Sequence, residues 1–215
     1  MKKFLATLAM LTFLSTTSYA APSEIILPTV EISDELSVMQ ALQNRKSDRK
    51  FVEKDLTPAQ LTKILWAANG ITHGEGKRVN PAAIGVYSVE VYAVTREGIY
   101  LYDANKNRLK LIAEGDFRAF TTTGQSFVEK AAVNLVYVET PEVWTGARRN
   151  PPREAQISFA NIAVGAMVQS VALAAQTEGL GNCVRGSINR DAFKQAAKLS
   201  DEKNILLAQS VGFIK

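Results

Sequence analysis

The sequence predicts an α+β domain built around a mixed β-sheet. Three patterns support this fold class: two strands joined by a turn-rich pentapeptide between residues 98 and 113, a continuously apolar strand at 132–139, and a long apolar helix at 155–177. Helices and strands alternate irregularly, and two successive strands form a hairpin. This order favours an α+β fold over a doubly wound parallel sheet.

The first twenty residues have the pattern of an export signal. Two lysines are followed by an apolar run from Phe4 to Leu14 and then by small residues that end at Ala20. The apolar run is too short to span a bilayer, and the small residues predict cleavage after Ala20. We therefore expect a Sec-type signal peptide at 1–20 and a periplasmic or secreted protein that leaves the membrane after cleavage. An uncleaved anchor is the alternative.

The mature chain has the size and composition of one globular domain. We expect an extended, proline-containing N-terminal arm at 21–35 and a single domain at 36–215. The net charge is only +4, and no basic stripe contains interleaved aromatic residues, so nucleic acid is not an expected partner. One histidine and one cysteine in the chain argue against a metal site and a histidine-based triad. Cys183 is expected to be a small buried apolar residue, with a reactive thiol as the alternative.

The elements follow from local signals. A short helix is predicted around Leu36–Leu42, and Thr57-Pro58 predicts the cap and first position of a second helix that ends at Asn69-Gly70. A loop is expected at 71–85. Strands are predicted at 86–95, 98–102, 108–113, 132–139 and 205–213, and helices at 155–177 and 190–198, with a loop-like segment at 144–153 and a short connection up to residue 186.

The stretch Arg45-Lys46-Ser47-Asp48-Arg49 places three cations and a hydroxyl directly after the first predicted helix. Guanidinium forks, an ammonium group and a serine hydroxyl together suit a phosphate. Basic runs at helix ends are more often solvated charges that complement the helix dipole, so the stretch alone leaves both readings open.

The ordered set RKSDRKF, ILWAANGI, NPAAIGVYSVEVYAV, GQSFVEKAAVNLVYV, LAAQTEGLGNCVRGS and LAQSVGF resembles the FMN-dependent nitroreductase family. It is similar above all to the branch that contains the azoline-peptide dehydrogenases. The resemblance covers nearly the whole mature chain. It implies a three-layer α-β-α sandwich with a mixed, mainly antiparallel sheet, and a homodimer formed through the helix at 155–177.

The resemblance also implies a set of FMN-binding residues and no catalytic side chain or metal. The phosphate and ribityl chain would be held by Arg45, Lys46, Ser47 and Arg49. The flavin would be approached from the partner subunit by Pro81, Ala82 and Ala83, and the isoalloxazine edge would be contacted by Gln125. A backbone N–H would be presented to flavin N5 by the segment Arg185, Gly186 and Ser187.

The implied activity is ping-pong hydride or electron transfer through FMN N5, to or from a small organic substrate. His73, Phe120 and Trp144 are candidates for shaping the substrate pocket. The alternative is a cofactor-free periplasmic binding protein with the same fold. Two departures from the family pattern favour that alternative. Ala82 stands where the family usually has serine. At the C-terminus, Lys215 is the one candidate for a basic pair with which many members also hold the phosphate. Oxidation of azoline rings in a peptide precursor is a third reading, and export argues against it.

Overall fold

The computed structural model describes residues 20–32, 36–74 and 76–215. The predicted signal peptide, apart from Ala20, and Ser33–Glu35 of the predicted arm lie outside the described residues. The helices are α1 (Val38–Asn44), α2 (Pro58–Asn69), α3 (Arg153–Thr177) and α4 (Arg190–Ala196). The strands are β1 (Glu24–Ile26), β2 (Ile71–His73), β3 (Lys77–Arg78), β4 (Val89–Val94), β5 (Gly98–Asp103), β6 (Arg108–Glu114), β7 (Val133–Glu139), β8 (Gly181–Arg185) and β9 (Asn204–Gly212).

A seven-stranded sheet runs through the centre of the domain in the order β1-β6-β5-β4-β7-β9-β8. Its strand pairs are antiparallel. All seven residues of β7 are buried, which agrees with the central position predicted from its continuous apolar sequence. The α+β class with a mainly antiparallel sheet is therefore confirmed.

Helices cover both faces of the sheet, so the domain has the expected three layers. On one face α2 and α3 pack on a large core that includes Ile64, Val164 and Tyr137. On the other face α4 contributes Phe193 to a smaller core with Tyr92, against which it lies edge-on at a centroid distance of 6.1 Å. Period-two alternation explains this division, because successive side chains of one strand point to opposite faces.

The predicted start of α2 is confirmed in detail. The Thr57 hydroxyl accepts a hydrogen bond from the Gln60 amide at 3.2 Å, and the Gln60 side chain accepts one from the Thr57 amide at 3.1 Å. Pro58 occupies the first helical turn, where it loses no hydrogen bond. A cap of this kind stabilises a helix by about 1 kcal/mol. Ser37 caps α1 in the same reciprocal way with Gln40.

Helix α3 is confirmed as a long helix, but it is not apolar on every side. Its exposed positions form one stripe of mainly small and polar residues: Glu154, Ser158, Asn161, Ile162, Gly165 and Gln169. The opposite side packs on α2 and the sheet. The helix is long and apolar enough to cross a membrane by length and composition, and a third of its most apolar window is buried in this fold.

Four strands were not predicted. The segment 181–185 was expected to be a short connection, but it forms the edge strand β8, paired with β9 from Gly181 opposite Gly212 to Arg185 opposite Ala208. Part of the N-terminal arm forms β1 at the other edge, and the loop at 71–85 contains the two-stranded ribbon β2-β3. These strands have only two to five residues each, so pairing with distant residues and not local propensity determines them.

Candidate functional site

The basic segment 45–50 forms no helix or strand and runs beside edge strand β8 and the C-terminus. Arg45 ends α1, and Asp48 then donates its backbone N–H to the Asn182 carbonyl at 2.8 Å. Lys50 accepts a backbone hydrogen bond from Lys215 at 3.1 Å. Because these contacts use the main chain, the cationic side chains of the segment stay free to bind a ligand.

A close approach at Gly181 holds this segment against the sheet. A Cβ atom at position 181 would lie 2.2 Å from Ile214 Cγ2 and 2.9 Å from Asp48 Cβ. Any larger residue would push the basic segment away from β8. Gly181 is therefore required by packing between three chain segments.

The cations of the segment are only weakly neutralised. Lys46 Nζ lies 3.8 Å from Asp48 Oδ1, and its side chain is 70% exposed, so this ion pair contributes little. Within the described ranges, the side chains of Arg45 and Arg49 form no hydrogen bond or salt bridge. Ser47 is exposed beside them. The predicted phosphate ligands thus share one anchored segment and keep most of their positive charge.

The two other predicted cofactor segments of the same subunit lie next to each other. Ser187 follows β8, and its hydroxyl hydrogen-bonds the hydroxyl of Thr123, two residues before Gln125. Gln125 is half-buried, and its side-chain oxygen accepts from Thr122 Oγ1 at 3.3 Å. The fold therefore brings Gln125 and the 185–187 segment to one place, although sixty residues separate them in the sequence.

The side chain of Arg185 does not face this site. It is 4% exposed and bonds to neutral oxygens of the core: the Thr121 carbonyl at 2.5 Å, Thr121 Oγ1 at 3.3 Å, Asn134 Oδ1 at 3.2 Å and Ser210 Oγ at 3.2 Å. Burial lowers the pKa of Arg185 to about 10. Its contribution to a cofactor site is therefore to fix the turn at Gly186 and Ser187, which leaves the backbone as the ligand, as the resemblance implied.

Cys183 is buried and free, as predicted. It lies in a small apolar cluster with Phe51, Phe127 and Ala131. Burial raises the pKa of the Cys183 thiol, although the positive charges of Arg49 and Arg185 act in the opposite direction. A buried thiol that resists ionisation is a structural residue and a poor nucleophile.

A cavity of about 410 Å³ connects the basic segment to the loop after Gln125. It is lined by Arg49, Lys50, Phe51, Ser126, Phe127, Lys130 and Lys215. Sequence reasoning did not assign Lys50, Ser126 or Lys130 to the site. The signal for Lys130 was present in the GQSFVEK motif, but only the fold shows that it faces the same cavity as Arg49.

The segment Pro81–Ala83 lies elsewhere, beside α3. Pro81 and Ala82 line a narrow crevice with Ala163 and Met167 of that helix. Among the described residues, the amides of Ala82 and Ala83 have no hydrogen-bond acceptor. Ile84, next in the chain, has a φ of 49°, a strained value for a β-branched residue. One subunit alone therefore does not bring this segment to Arg49.

Of the three residues suggested to shape the pocket, Trp144 does not fit. It is 1% exposed and packs near Phe159, at a centroid distance of 6.3 Å, so it does not present a surface to a substrate. His73 is exposed on β2, where its ring Nδ1 lies 2.7 Å from Thr72 Oγ1. Phe120 is partly exposed and stacks edge-on with Phe117.

An antiparallel sheet between helices, with an anchored basic segment at its edge, defines an α+β protein with a cluster of weakly neutralised cations. Residues 42–213 match the sequence model of the Nitroreductase family. The chain therefore belongs to the nitroreductase family, and the class of activity that goes with this membership is that of an oxidoreductase.

Two relatives are similar over nearly their whole length. A protein of Methanocaldococcus jannaschii, described as a putative nitroreductase, is 27% identical over 197 residues, which cover 86% of this chain and 94% of the relative. A crystal structure from Ralstonia eutropha with the same description superposes with a TM-score of 0.81 at 31% identity and covers 90% of both chains.

Two more distant structures share the fold. A nitroreductase-type protein from Desulfovibrio desulfuricans, solved in complex with FMN, has a TM-score of 0.60 at 20% identity over 84% of this chain and 87% of its own. A chain of the E. coli microcin synthetase McbBCD complex, solved with truncated pro-MccB17 bound, has a TM-score of 0.68 at 18% identity over 99% and 85%. At these identities the two structures show a shared fold alone.

Proposed function

We propose that this protein is an FMN-dependent oxidoreductase that acts on a small organic substrate. The observation that carries the proposal is the anchored segment of Arg45, Ser47 and Arg49, whose cations have no acidic partner among the described residues. Such a donor set fits a phosphate, because two guanidinium forks and a hydroxyl supply charge-assisted hydrogen bonds. The FMN complex of the D. desulfuricans structure supports the choice of cofactor.

Each predicted residue has a role in this proposal. Arg45, Ser47 and Arg49 hold the phosphate and ribityl chain, and Lys46 contributes long-range attraction because its side chain is mostly exposed. Gln125 contacts the edge of the isoalloxazine ring through its half-buried amide. Arg185 holds the following turn, so that the backbone of Gly186 and Ser187 can face N5.

Bound FMN would supply hydride or electron transfer through N5 in a ping-pong cycle, with donor and acceptor using the same pocket in turn. The chain itself provides binding and orientation. The amides of Gly186 and Ser187 have no acceptor within the described part of the chain. A backbone donor of this kind can stabilise negative charge that develops at N5 without changing its own protonation state.

We further propose that the protein is a homodimer formed through the helix at 155–177. The exposed stripe of α3 contains Gly165 and other small residues that permit close approach of a second helix, and Ile162 is 68% exposed on it. Pro81–Ala83 lie against the same helix. A partner subunit docked on α3 would therefore bring its own copy of this segment towards the flavin of this subunit. Because positions 82 and 83 are both alanine, the segment can offer the flavin only backbone amides there.

The place of action follows from the N-terminal sequence. With a Sec-type signal at 1–20, the protein folds and acquires FMN in the periplasm or outside the cell. Nicotinamide cofactors are scarce there, so we expect a different electron donor, or oxidation of a substrate with transfer to another acceptor.

Ala82 favours one second candidate, a cofactor-free binding protein with the nitroreductase fold. Alanine removes a side-chain hydrogen bond from the segment that would contact the flavin. The visible absorption spectrum of the purified mature protein separates the two candidates. A yellow protein with flavin maxima is expected, whereas a colourless protein that takes up no added FMN would favour the binding protein.

A pair of variants tests the assignment of the phosphate ligands. Arg45→Ala should weaken FMN retention about tenfold or more, because loss of a charge-assisted hydrogen bond costs about 1.5–3 kcal/mol. Arg148→Ala removes an exposed arginine outside the site and serves as the matched control. Retention is measured by equilibrium dialysis of FMN. Equal retention by the two variants would remove Arg45 from the site.

A further inference from the structure

The cavity beside the basic segment collects more positive charge than one phosphate site requires. Arg49, Lys50, Lys130 and Lys215 all line it, and no carboxylate side chain does. In the described ranges of the chain, none of these four side chains forms a salt bridge or a hydrogen bond. A terminal carboxylate on Lys215 would offset one of the charges and leave three.

The same cavity has an aromatic wall. Phe51 and Phe127 lie with ring centroids 6.2 Å apart at an interplanar angle of 34°. Phe127 is half-buried and presents its ring to the cavity, whereas Phe51 is only 2% exposed and supports Phe127 from behind, fixed by the β-bridge of its backbone with Ile214. An apolar wall next to unpaired cations suits a ligand that has both a flat apolar body and an anionic group.

Size and charge together restrict the ligand. A volume of about 410 Å³ lies in the usual range for small-molecule sites, which is about 300–1,000 Å³. Four like charges around one cavity repel each other, and an anion that enters relieves this repulsion. Ser126 adds a hydroxyl that can donate to an oxyanion.

We propose that this cavity binds small organic carboxylates with a flat apolar body, next to the phosphate of the cofactor. Arg49 belongs to both sites, but Arg45 and Ser47 of the phosphate group do not line the cavity, whereas Lys50 and Lys130 do. A strongly hydrated phosphate would gain nothing from the aromatic wall. Binding of the carboxylate does not depend on flavin, but its role as an anchor that places a substrate beside the flavin rests on the proposed function.

Two matched probes test the proposal: 4-nitrobenzoate and the neutral 4-nitrobenzyl alcohol, titrated by calorimetry into both flavin-free and FMN-loaded protein. The wild type should bind the carboxylate at least fivefold more tightly than the alcohol. Raising the salt from 20 to 500 mM should weaken only the carboxylate, because its attraction is screened. This salt measurement uses the native chain and does not depend on any variant.

The variant Lys130→Gln should lose at least fivefold in affinity for 4-nitrobenzoate and retain FMN unchanged. Lys110→Gln, which removes an exposed lysine on β6, is the control and should bind both probes like the wild type. Equal binding of the two probes by the wild type would overturn the proposal. So would displacement of 4-nitrobenzoate by FMN together with loss of FMN in Lys130→Gln, because the cavity would then be the phosphate site. Lysine-dependent carboxylate binding by a protein that takes up no FMN would support the anion site and refute the proposed function.

Discussion

Arg185 allows a sharp test of how the site is held, because its buried charge has no acidic partner in the described structure. Its guanidinium bonds to Thr121, Asn134 and Ser210 through neutral oxygens. Two opposing effects decide what happens when the charge is removed. Loss of the bonds leaves acceptors unsatisfied, whereas removal of a buried charge relieves its desolvation.

The structure indicates how many acceptors lose their partner in Arg185→Met. Asn134 Oδ1 keeps a 2.6 Å hydrogen bond from Ser210 Oγ, and the Thr121 hydroxyl keeps its donation to the Arg118 carbonyl at 2.8 Å. The Thr121 carbonyl loses its 2.5 Å bond and gains no replacement. A buried carbonyl of this kind costs about 1–3 kcal/mol. Loss of the weaker bonds and relief of desolvation act in opposite directions, so we expect net destabilisation by about 1–3 kcal/mol.

Urea unfolding of the flavin-free protein measures this effect. A loss of about 1–3 kcal/mol lowers the urea midpoint by about 0.5–1.5 M at a typical slope of about 2 kcal/mol/M. Arg185→Lys should be no more stable than Arg185→Met, because an ammonium group cannot reproduce the planar fork. Both variants should also retain FMN less well, since the turn at Gly186 and Ser187 loses its support. An Arg185→Met midpoint at or above that of the wild type would refute the reasoning, because relief of desolvation would then outweigh the bonds.

Three further substitutions test other contacts. Ile162→Glu should convert the proposed dimer to a folded monomer by light scattering, whereas Ile32→Glu, at an exposed position outside α3, should not. Arg153→Gln should lower the free energy of unfolding by about 2–4 kcal/mol, because the fully buried carboxylate of Glu139 loses its bidentate partner. The partial exposure of Arg153 limits the loss to this range. An unchanged urea midpoint would contradict the prediction. Tyr100→Phe should leave the melting temperature unchanged or raise it by about 2–4 °C, since the Tyr100 hydroxyl is buried without a hydrogen-bond partner among the described residues. A clear decrease in the melting temperature would show that the hydroxyl is hydrogen-bonded.

Local sequence signals were sufficient where an element carries its own punctuation. Thr57-Pro58 predicted the start of α2 because the capping hydroxyl and the missing proline N–H both act within one turn. The hairpin of β5 and β6 was predicted from the pentapeptide between them, and the pairing of Asp103 with Arg108 confirms it. Each of these decisions involves residues that are close in the sequence.

Elements defined by distant partners were missed. The sequence of β8, GNCVR, contains two polar residues and a glycine, and nothing local marks it as a strand. It becomes one because β9 pairs with it on one side while the Asn182 carbonyl accepts from Asp48 on the other. The N-terminal strand β1 is likewise defined by β6, more than eighty residues later.

The candidate site shows the same division. Its residues Arg45, Ser47, Arg49 and Gln125 were identified because their motifs are contiguous in the chain, and they remain proposals for FMN binding. Sequence gave no reason to join Lys130 to Arg49, and it did not indicate that the Arg185 side chain turns away from the site into the core.

The sequence by itself determined the secondary elements with strong local signals, the central position of β7 and the family to which the chain belongs. Only the tertiary structure decided which charges meet: the cations of 49, 50, 130 and 215 converge on one cavity, while the cation of 185 is buried among neutral oxygens. The physical reason is that capping, turns and periodicity depend on neighbours along the chain. Burial and charge pairing depend on neighbours in space, which antiparallel pairing of distant strands brings together.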